Sequence, residues 1–226
     1  MIIDGKERGW IEKFAMSTGA ISKDSFGDAA VEDEAIKTHH LASTILIRAK
    51  DFFVNVKAAS ATGVRSNEDL SAGVPITFTL TTQPDVPRTI TFHFDSHAQI
   101  MAYTITITGV DGRGNAVSEV FTQATGFADW ETANAYAKIT SIIMSVRTGT
   151  GAADTMDVGI GSKLGLSNKI SATSQVYKVT KNKADWPAAS YTVDGTYSLV
   201  DVMTGGAIVA DDNFTIAYKS PMSLAS

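Results

Sequence analysis

Three short segments of the chain alternate threonine with large apolar residues, and this alternation restricts the fold more than any other feature. The first is "PITFTLTT" at 75–82, the second "RTITFHF" at 88–94 and the third "AYTITIT" at 102–108. A period of two residues fits a strand with one buried face, whereas a helix repeats its apolar positions about every 3.6 residues. We therefore predict antiparallel strands whose threonines lie on the outer face of a sheet.

The rest of the chain after residue 42 has the same texture. β-Branched and aromatic runs are separated by Gly, Asn and Asp, and no long segment shows helical periodicity. The pattern predicts an all-β fold, an antiparallel β-sandwich or jelly-roll-like barrel of about ten strands, as the domain 43–226. The further predicted strands are 43–49, 51–58, 116–123, 138–146, 155–161, 174–181, 196–203 and 213–219.

Residues 1–42 differ from this domain, because small and polar residues dominate and no alternation persists. We predict a largely extended N-terminal arm, with a possible short helix at 28–38. Trp10, Phe14 and Met16 are isolated apolar residues in this arm. They either fold back onto their own domain or serve as contacts to a neighbouring subunit, since isolated aromatics on a polar segment are typical of binding hot spots.

Composition excludes several classes of partner and chemistry. Only 19% of the 226 residues are charged and the net charge is -5, so nucleic acid is not an expected partner. The chain has no cysteine, which excludes disulfides, thiol catalysis and cysteine-bound zinc. No apolar stretch has the length of a membrane span, and the first residues do not resemble a signal peptide. We expect no membrane partner.

The stretch "TGVDGRGNAVSEVF" at 108–121 could be a ligand loop or a turn. A calcium loop would use Asp111, Asn115 and Glu119, but the cationic Arg113 stands where a ligand should be. A phosphate loop would lead into a helix, whereas an alternating strand follows here. Gly109, Gly112, Gly114 and Asn115 all tolerate positive φ, so we interpret the stretch as a β-hairpin connection.

Other suggestive motifs are also weak. "RTGTGAADT" at 147–155 precedes a predicted strand and is interpreted as a turn. "HFDSH" at 93–97 has the histidine spacing of a zinc protease but lacks its glutamate, and His39 and His40 are simply adjacent. No nucleophile elbow is present, so we expect no enzyme, no metal and no cofactor. Carboxylates brought together only in space stay open, because sequence does not display them.

A second interpretation is a carbohydrate- or receptor-binding β-sandwich module. Its ligand-facing aromatics would be Trp130 and Trp186, with Tyr136 and Tyr191, all near predicted loops. Core packing is the more common use of such side chains.

The order of several segments resembles a family of tailed-bacteriophage virion structural proteins. Similar Q-P-D-V-P-R, T-G-x-D-x-x-G-N-A-x-S-E and G-x-G-x-K-L-G-L patterns occur in that family in this order, and the resemblance covers roughly residues 74–219. The segments are "TTQPDVPRTITFHF", "YTITITGVDGRGNAVSEVF", "KITSIIMSV", "GAADTMDVGIGSKLGL" and "NFTIAYK".

The resemblance implies a non-enzymatic protein of the phage particle, most like a decoration or cement protein on the outside of the capsid. Its implied partners are the major capsid protein and copies of itself, as a trimer or another small homo-oligomer. It would be synthesised in the host cytoplasm and located at the capsid surface of the virion. A tail, neck or head-fibre protein is the alternative within the same resemblance.

Overall fold

The computed structural model describes residues 46–96, 102–124, 128–150, 152–188, 191–202 and 211–221. These residues form fourteen strands and a short 3-10 helix, Thr173–Gln175. The predicted all-β, antiparallel fold is confirmed. The strands are β1 Leu46–Val56, β2 Ser60–Asp69, β3 Ile76–Thr77, β4 Arg88–Ser96, β5 Ala102–Val110, β6 Ala116–Gln123, β7 Trp130–Glu131, β8 Lys138–Thr148, β9 Thr155–Gly165, β10 Val176–Lys181, β11 Ala184–Asp185, β12 Thr192–Asp194, β13 Leu199–Asp201 and β14 Asp212–Pro221.

The strands form three sheets. The first has four strands in the order β1-β14-β10-β11, and the third has four in the order β3-β8-β5-β6. The second has six strands: β12-β13-β9-β4-β7 in order, with β2 also paired to β9. Strand β9 is therefore central, since it pairs with β2, β4 and β13.

Two apolar cores lie between these sheets. The first is filled by alternate residues of β4, β5, β8 and β9, such as Phe92, Ile105 and Val158. The second is built from β1, β10, β13, β14 and the end of β9, including Leu164, Phe214 and Ile216. Burying one face of each sheet stabilises the sandwich, because the alternating apolar side chains leave water together.

The predicted strands differ from the structure in several places. Residues 43–49 and 51–58 were expected to be two strands, but β1 is continuous from Leu46 to Val56. Of segment 75–82 only Ile76–Thr77 pairs as a strand, because the amides of Thr81 and Thr82 bond to the carbonyl of Val64 instead. The sequence analysis missed strands β2, β7, β11 and β12, since β2 is polar and the others have two or three residues.

The outer-face prediction for threonine holds with one correction. On β5 the residues Tyr103, Ile105 and Ile107 are buried and the threonines between them are partly exposed. On β4, however, Thr89 has no exposure, and its hydroxyl donates a 2.6 Å hydrogen bond to Glu131 on the neighbouring strand β7. The arm at 1–42, its helix at 28–38 and the domain boundary at residue 42 lie outside the described residues.

Candidate functional site

The stretch at 108–121 folds as the predicted hairpin. Strands β5 and β6 pair in continuous register, and the chain reverses between Val110 and Ala116. The carboxylate of Asp111 accepts hydrogen bonds from the backbone amides of Arg113 at 2.8 Å and Asn115 at 2.9 Å. Gly114 adopts a φ of 82° and is the only residue of the four predicted candidates with positive φ. The reversal needs that single glycine conformation.

The charge of Asp111 is balanced by residues within the turn itself. Arg113 donates from Nε to the Asp111 carboxylate at 2.8 Å. Arg113, whose positive charge is unfavourable in a calcium loop, is therefore the ion-pair partner of Asp111. Burial alone would raise the pKa of Asp111, but hydrogen bonds from Arg113 and Asn115 outweigh it and lower that pKa. No group of metal-ligating side chains occurs among the described residues. The carboxylate serves the turn.

Three of the motif segments meet next to this turn. The amide of Gly165 donates to the carbonyl of Pro87 at 2.8 Å. A methyl group on Gly112 would come within 3.1 Å of two ring carbons of Pro87, and one on Gly165 would collide with the side chain of Ala135. Gly165 is therefore packed too closely against Ala135 to carry a side chain, whereas a side chain at Gly112 would require Pro87 to shift by a few tenths of an ångström.

Arg88 joins further segments beneath this contact. Its guanidinium is completely buried; Nε donates to the carbonyl of Gly161 at 2.7 Å and Nη1 to the carbonyl of Lys57 at 3.0 Å. Asp85 supplies the counter-charge at 3.0 Å, and its other oxygen accepts from the Lys57 amide at 2.7 Å. A buried arginine with an acid and two carbonyls as partners is fixed in one geometry.

Two more side chains bind backbone across the same region. Gln83 both donates to the carbonyl of Ile139 at 3.1 Å and accepts from its amide at 2.8 Å. Glu119 accepts from the amides of Ala133 at 2.7 Å and Asn134 at 2.9 Å. We call the whole assembly the motif junction; it comprises Gln83, Asp85, Pro87, Arg88, Gly112, Glu119 and Gly165.

A groove of about 530 Å³ lies between the start of β2 and strand β7. Its polar lining residues come from four strands or the turns beside them: Ser60, Thr91, His93, Asp129, Glu131 and Ser162. This volume falls within the range of small-molecule sites. The groove is broadly open to solvent, and Phe92, Trp130 and Ile160 form the apolar part of its lining, so it is a shallow surface groove and not an enclosed pocket.

Most polar side chains of the groove are paired with one another or with neighbours. Asp129 binds Nδ1 of His93 at 2.8 Å, and this hydrogen bond raises the pKa of that imidazole. Glu131 accepts from Nζ of Lys163 and from the hydroxyl of Thr89, both at 2.6 Å. These ion pairs and hydrogen bonds hold the acids of the groove in place on the sheet face.

The sequence analysis did not identify this pair of acids, although a signal was present. In "DWE" at 129–131 two carboxylates flank a tryptophan, and a strand places residues i and i+2 on one face. That pattern would have predicted Asp129 and Glu131 on the surface and Trp130 in the core. Strand β7 has only two residues, too few to be recognised from periodicity.

Trp130 is partly buried; it packs against the first core and also lines the groove. Its ring stacks on Phe92 at 4.8 Å and on Phe121 at 4.9 Å, with interplanar angles of 20° and 11°. Carbohydrate recognition needs an aromatic face open to the sugar, and the stacking on two phenylalanines leaves only part of the indole at the groove surface.

The other predicted aromatics are similarly engaged. Tyr136 is completely buried and its hydroxyl donates to Glu119 at 3.3 Å; burial raises the pKa of that hydroxyl. Trp186 packs against the second core, and Nζ of Lys181 lies 4.8 Å from its ring centroid. Tyr191 also packs against that core. The structure brings these aromatics to two different cores, so they do not form one site.

Trp10, Phe14 and Met16, with His39, His40 and His97, lie outside the described residues. The turn predicted at 147–155 joins β8 to β9, and its Gly149 has a φ of 89°. No helix among the described residues is long and apolar enough to cross a membrane.

The fold and the motif junction define an antiparallel β-sandwich protein. Comparison with protein-family models, curated proteins and solved structures finds no match for this chain.

Proposed function

We propose that this chain is a non-enzymatic structural protein of a phage particle, a decoration or cement protein that binds the outside of the capsid. The observation that carries the proposal is the motif junction. The segments that resemble virion proteins contact one another in the fold, through Pro87 with Gly165 and Gly112, and Gln83 with Ile139. Because these motifs contact one another, their joint occurrence is a more specific indication of the family than any single turn pattern.

The surface chemistry supports the same proposal. In the groove the acids Asp129 and Glu131 are held by His93, Lys163 and Thr89, an arrangement that stabilises the sheet face. Trp130 stacks on Phe92 and Phe121, so only part of its ring is available to a receptor ligand in the groove. A structural role places no demand on that ring. Fold alone does not determine function, so the particle itself is the place to test it.

The direct experiment is quantitative mass spectrometry of purified particles of the phage that encodes the chain, followed by electron cryomicroscopy. A decoration protein is expected in many copies on the head lattice, with density on the outer capsid surface. A few copies at the tail or neck would favour the alternative position. Complete absence from purified particles would refute the structural role.

The contact role of the arm can be tested separately. Deleting residues 1–25 should weaken attachment to the capsid while the remaining chain keeps its β-sheet circular dichroism and thermal midpoint. The paired substitutions Trp10→Ala and Phe14→Ala should reproduce most of the loss, since aromatic anchors dominate interfaces. Lys13→Ala is the matched control in the same segment. Equal binding of all variants would exclude the arm as the anchor.

A further inference from the structure

The outer face of the sheet β3-β8-β5-β6 carries no charged side chain over three cross-strand rows. The rows follow from the strand registers, in which Thr104, Thr106 and Thr108 of β5 each lie between residues of β6 and β8. We call this surface the threonine face. Its rows are Val120, Thr106, Ile143 and Thr77; Thr122, Thr104 and Val146; and Ser118, Thr108 and Ser141.

Two valines on this face are unusually open to solvent. Val120 is 63% exposed and Val146 is 52% exposed, and they lie in adjacent rows on opposite sides of β5. Exposed sheet faces usually carry lysine or glutamate, which keep them soluble and unpaired. Here Glu119 points to the other side of the sheet, where it binds Ala133 and Asn134, and Lys138 lies beyond the last row.

The hydroxyls of the face are partly satisfied within the sheet. Thr104 and Thr122 lie 3.2 Å apart at their hydroxyl oxygens, and those of Thr108 and Ser141 lie 2.8 Å apart. A polar group that already has a partner costs less to remove from water than one that would be left without a hydrogen bond. Covering this face therefore costs less free energy than its threonine content suggests.

We propose that the threonine face packs against the same face of a second copy of this chain, related by a two-fold axis. A second copy matches this face in charge, because both surfaces are neutral. A partner with charged side chains would bury them unpaired. The inference does not depend on the virion role, because it concerns the isolated chain.

The size of the face sets the strength of this contact. With about 4.8 Å between strands and about 3.3 Å per residue, three strands by five residues, together with Thr77 of β3, give roughly 250 Å² in projection per copy. Two copies then bury roughly 500 Å², which is far less than stable specific interfaces bury and is typical of a weak, transient contact. The dimer is thus weak in dilute solution and is favoured where copies are concentrated, as they would be on a lattice.

Sedimentation equilibrium from about 10 µM to about 1 mM tests the association directly. The wild type should shift from monomer toward dimer over this range; added sodium chloride should not weaken the shift, and ammonium sulfate should strengthen it. Val120→Lys should weaken association more than tenfold by placing a lysine in the contact. Val54→Lys is the matched control, since Val54 is 61% exposed on β1 in a different sheet.

The orientation can be tested by crosslinking, because the natural chain has no cysteine. Thr106→Cys, at the centre of the face, should give a covalent dimer with a bis-maleimide that spans about 10 Å, the usual distance between packed sheets. Val54→Cys should give little product. A wild type that stays monomeric at about 1 mM, a Val120→Lys variant that still associates, or equal crosslinking at both cysteines would each overturn the proposal.

Discussion

The Nε atom of Arg88 lies 2.7 Å from the carbonyl oxygen of Gly161, and the arginine has no solvent exposure. The same guanidinium binds Asp85, whose carboxylate holds the Lys57 amide. One cation thus connects the turn after β1, the segment before β4 and the centre of β9. Its removal would leave the buried carbonyl of Gly161 and the largely buried carboxylate of Asp85 without this partner.

Arg88→Met should therefore be strongly destabilising. Breaking a buried ion pair by removing one partner costs about 3–5 kcal/mol, because the remaining charge stays buried. Urea unfolding followed by circular dichroism would measure the loss. Arg48→Met is the matched control; Arg48 is exposed on β1, so its replacement should change the free energy of unfolding by less than about 0.5 kcal/mol. Similar losses for the two variants would contradict this account of Arg88.

Gly165→Ala should destabilise the motif junction through a steric collision. The added methyl group would overlap the side chain of Ala135 and lie 3.6 Å from Pro87, so the two segments must separate. Overpacking of this kind costs about 1–3 kcal/mol. Gly73 offers the control, since a methyl group there meets nothing within 4 Å. Gly73→Ala should be neutral or slightly stabilising, and thermal unfolding of both variants would show the difference.

Asp111→Asn should lower stability near neutral pH by about 1–2 kcal/mol, because the turn loses the ion pair with Arg113. The pKa of Asp111 is lowered from its ordinary value of 3.8. Its contribution is consequently complete above that value and is lost as the pH falls through the lower folded pKa. The difference in unfolding free energy between wild type and variant should shrink below about pH 3.8. A difference that is independent of pH would rule out the charged interaction as its source.

Much of the fold could be predicted from alternation alone. In β5 the buried residues Tyr103, Ile105 and Ile107 follow the period of two, since one face of a half-buried strand must be apolar. The hairpin at Asp111 was predictable because its glycines and Asn115 favour a tight turn. The positive charge of Arg113 argues against a calcium loop at the same place. Strand β2 could not be predicted in this way, because its sequence is polar. It is a strand because it pairs with β9.

The junction and the groove depend on contacts that are distant in sequence. Nothing local to Arg88 indicates that its partners are Lys57 and Gly161, which only the sheet topology brings together. Thr89 was predicted on the outer face, and the pairing of β4 with β7 is what buries it against Glu131. Sequence periodicity predicts which face is apolar; it does not predict which polar side chain finds a partner across the sheet.

His93 and Asp129 give the last prediction, a pH dependence with a defined sign. The hydrogen bond that Nδ1 of His93 donates to the Asp129 carboxylate raises the pKa of His93 above 6.5, and the nearby charges of Asp157 and Asp95 act in the same direction. The stabilisation is therefore complete below about pH 6.5 and is lost as the pH rises through the raised value. Titration of the imidazole by NMR, assigned with His93→Gln, should show this raised pKa. Asp129→Asn should return it toward 6.5, and Asp95→Asn should lower it less because that acid makes no hydrogen bond to the ring in the described residues. An unchanged titration in Asp129→Asn would exclude the pair as its cause.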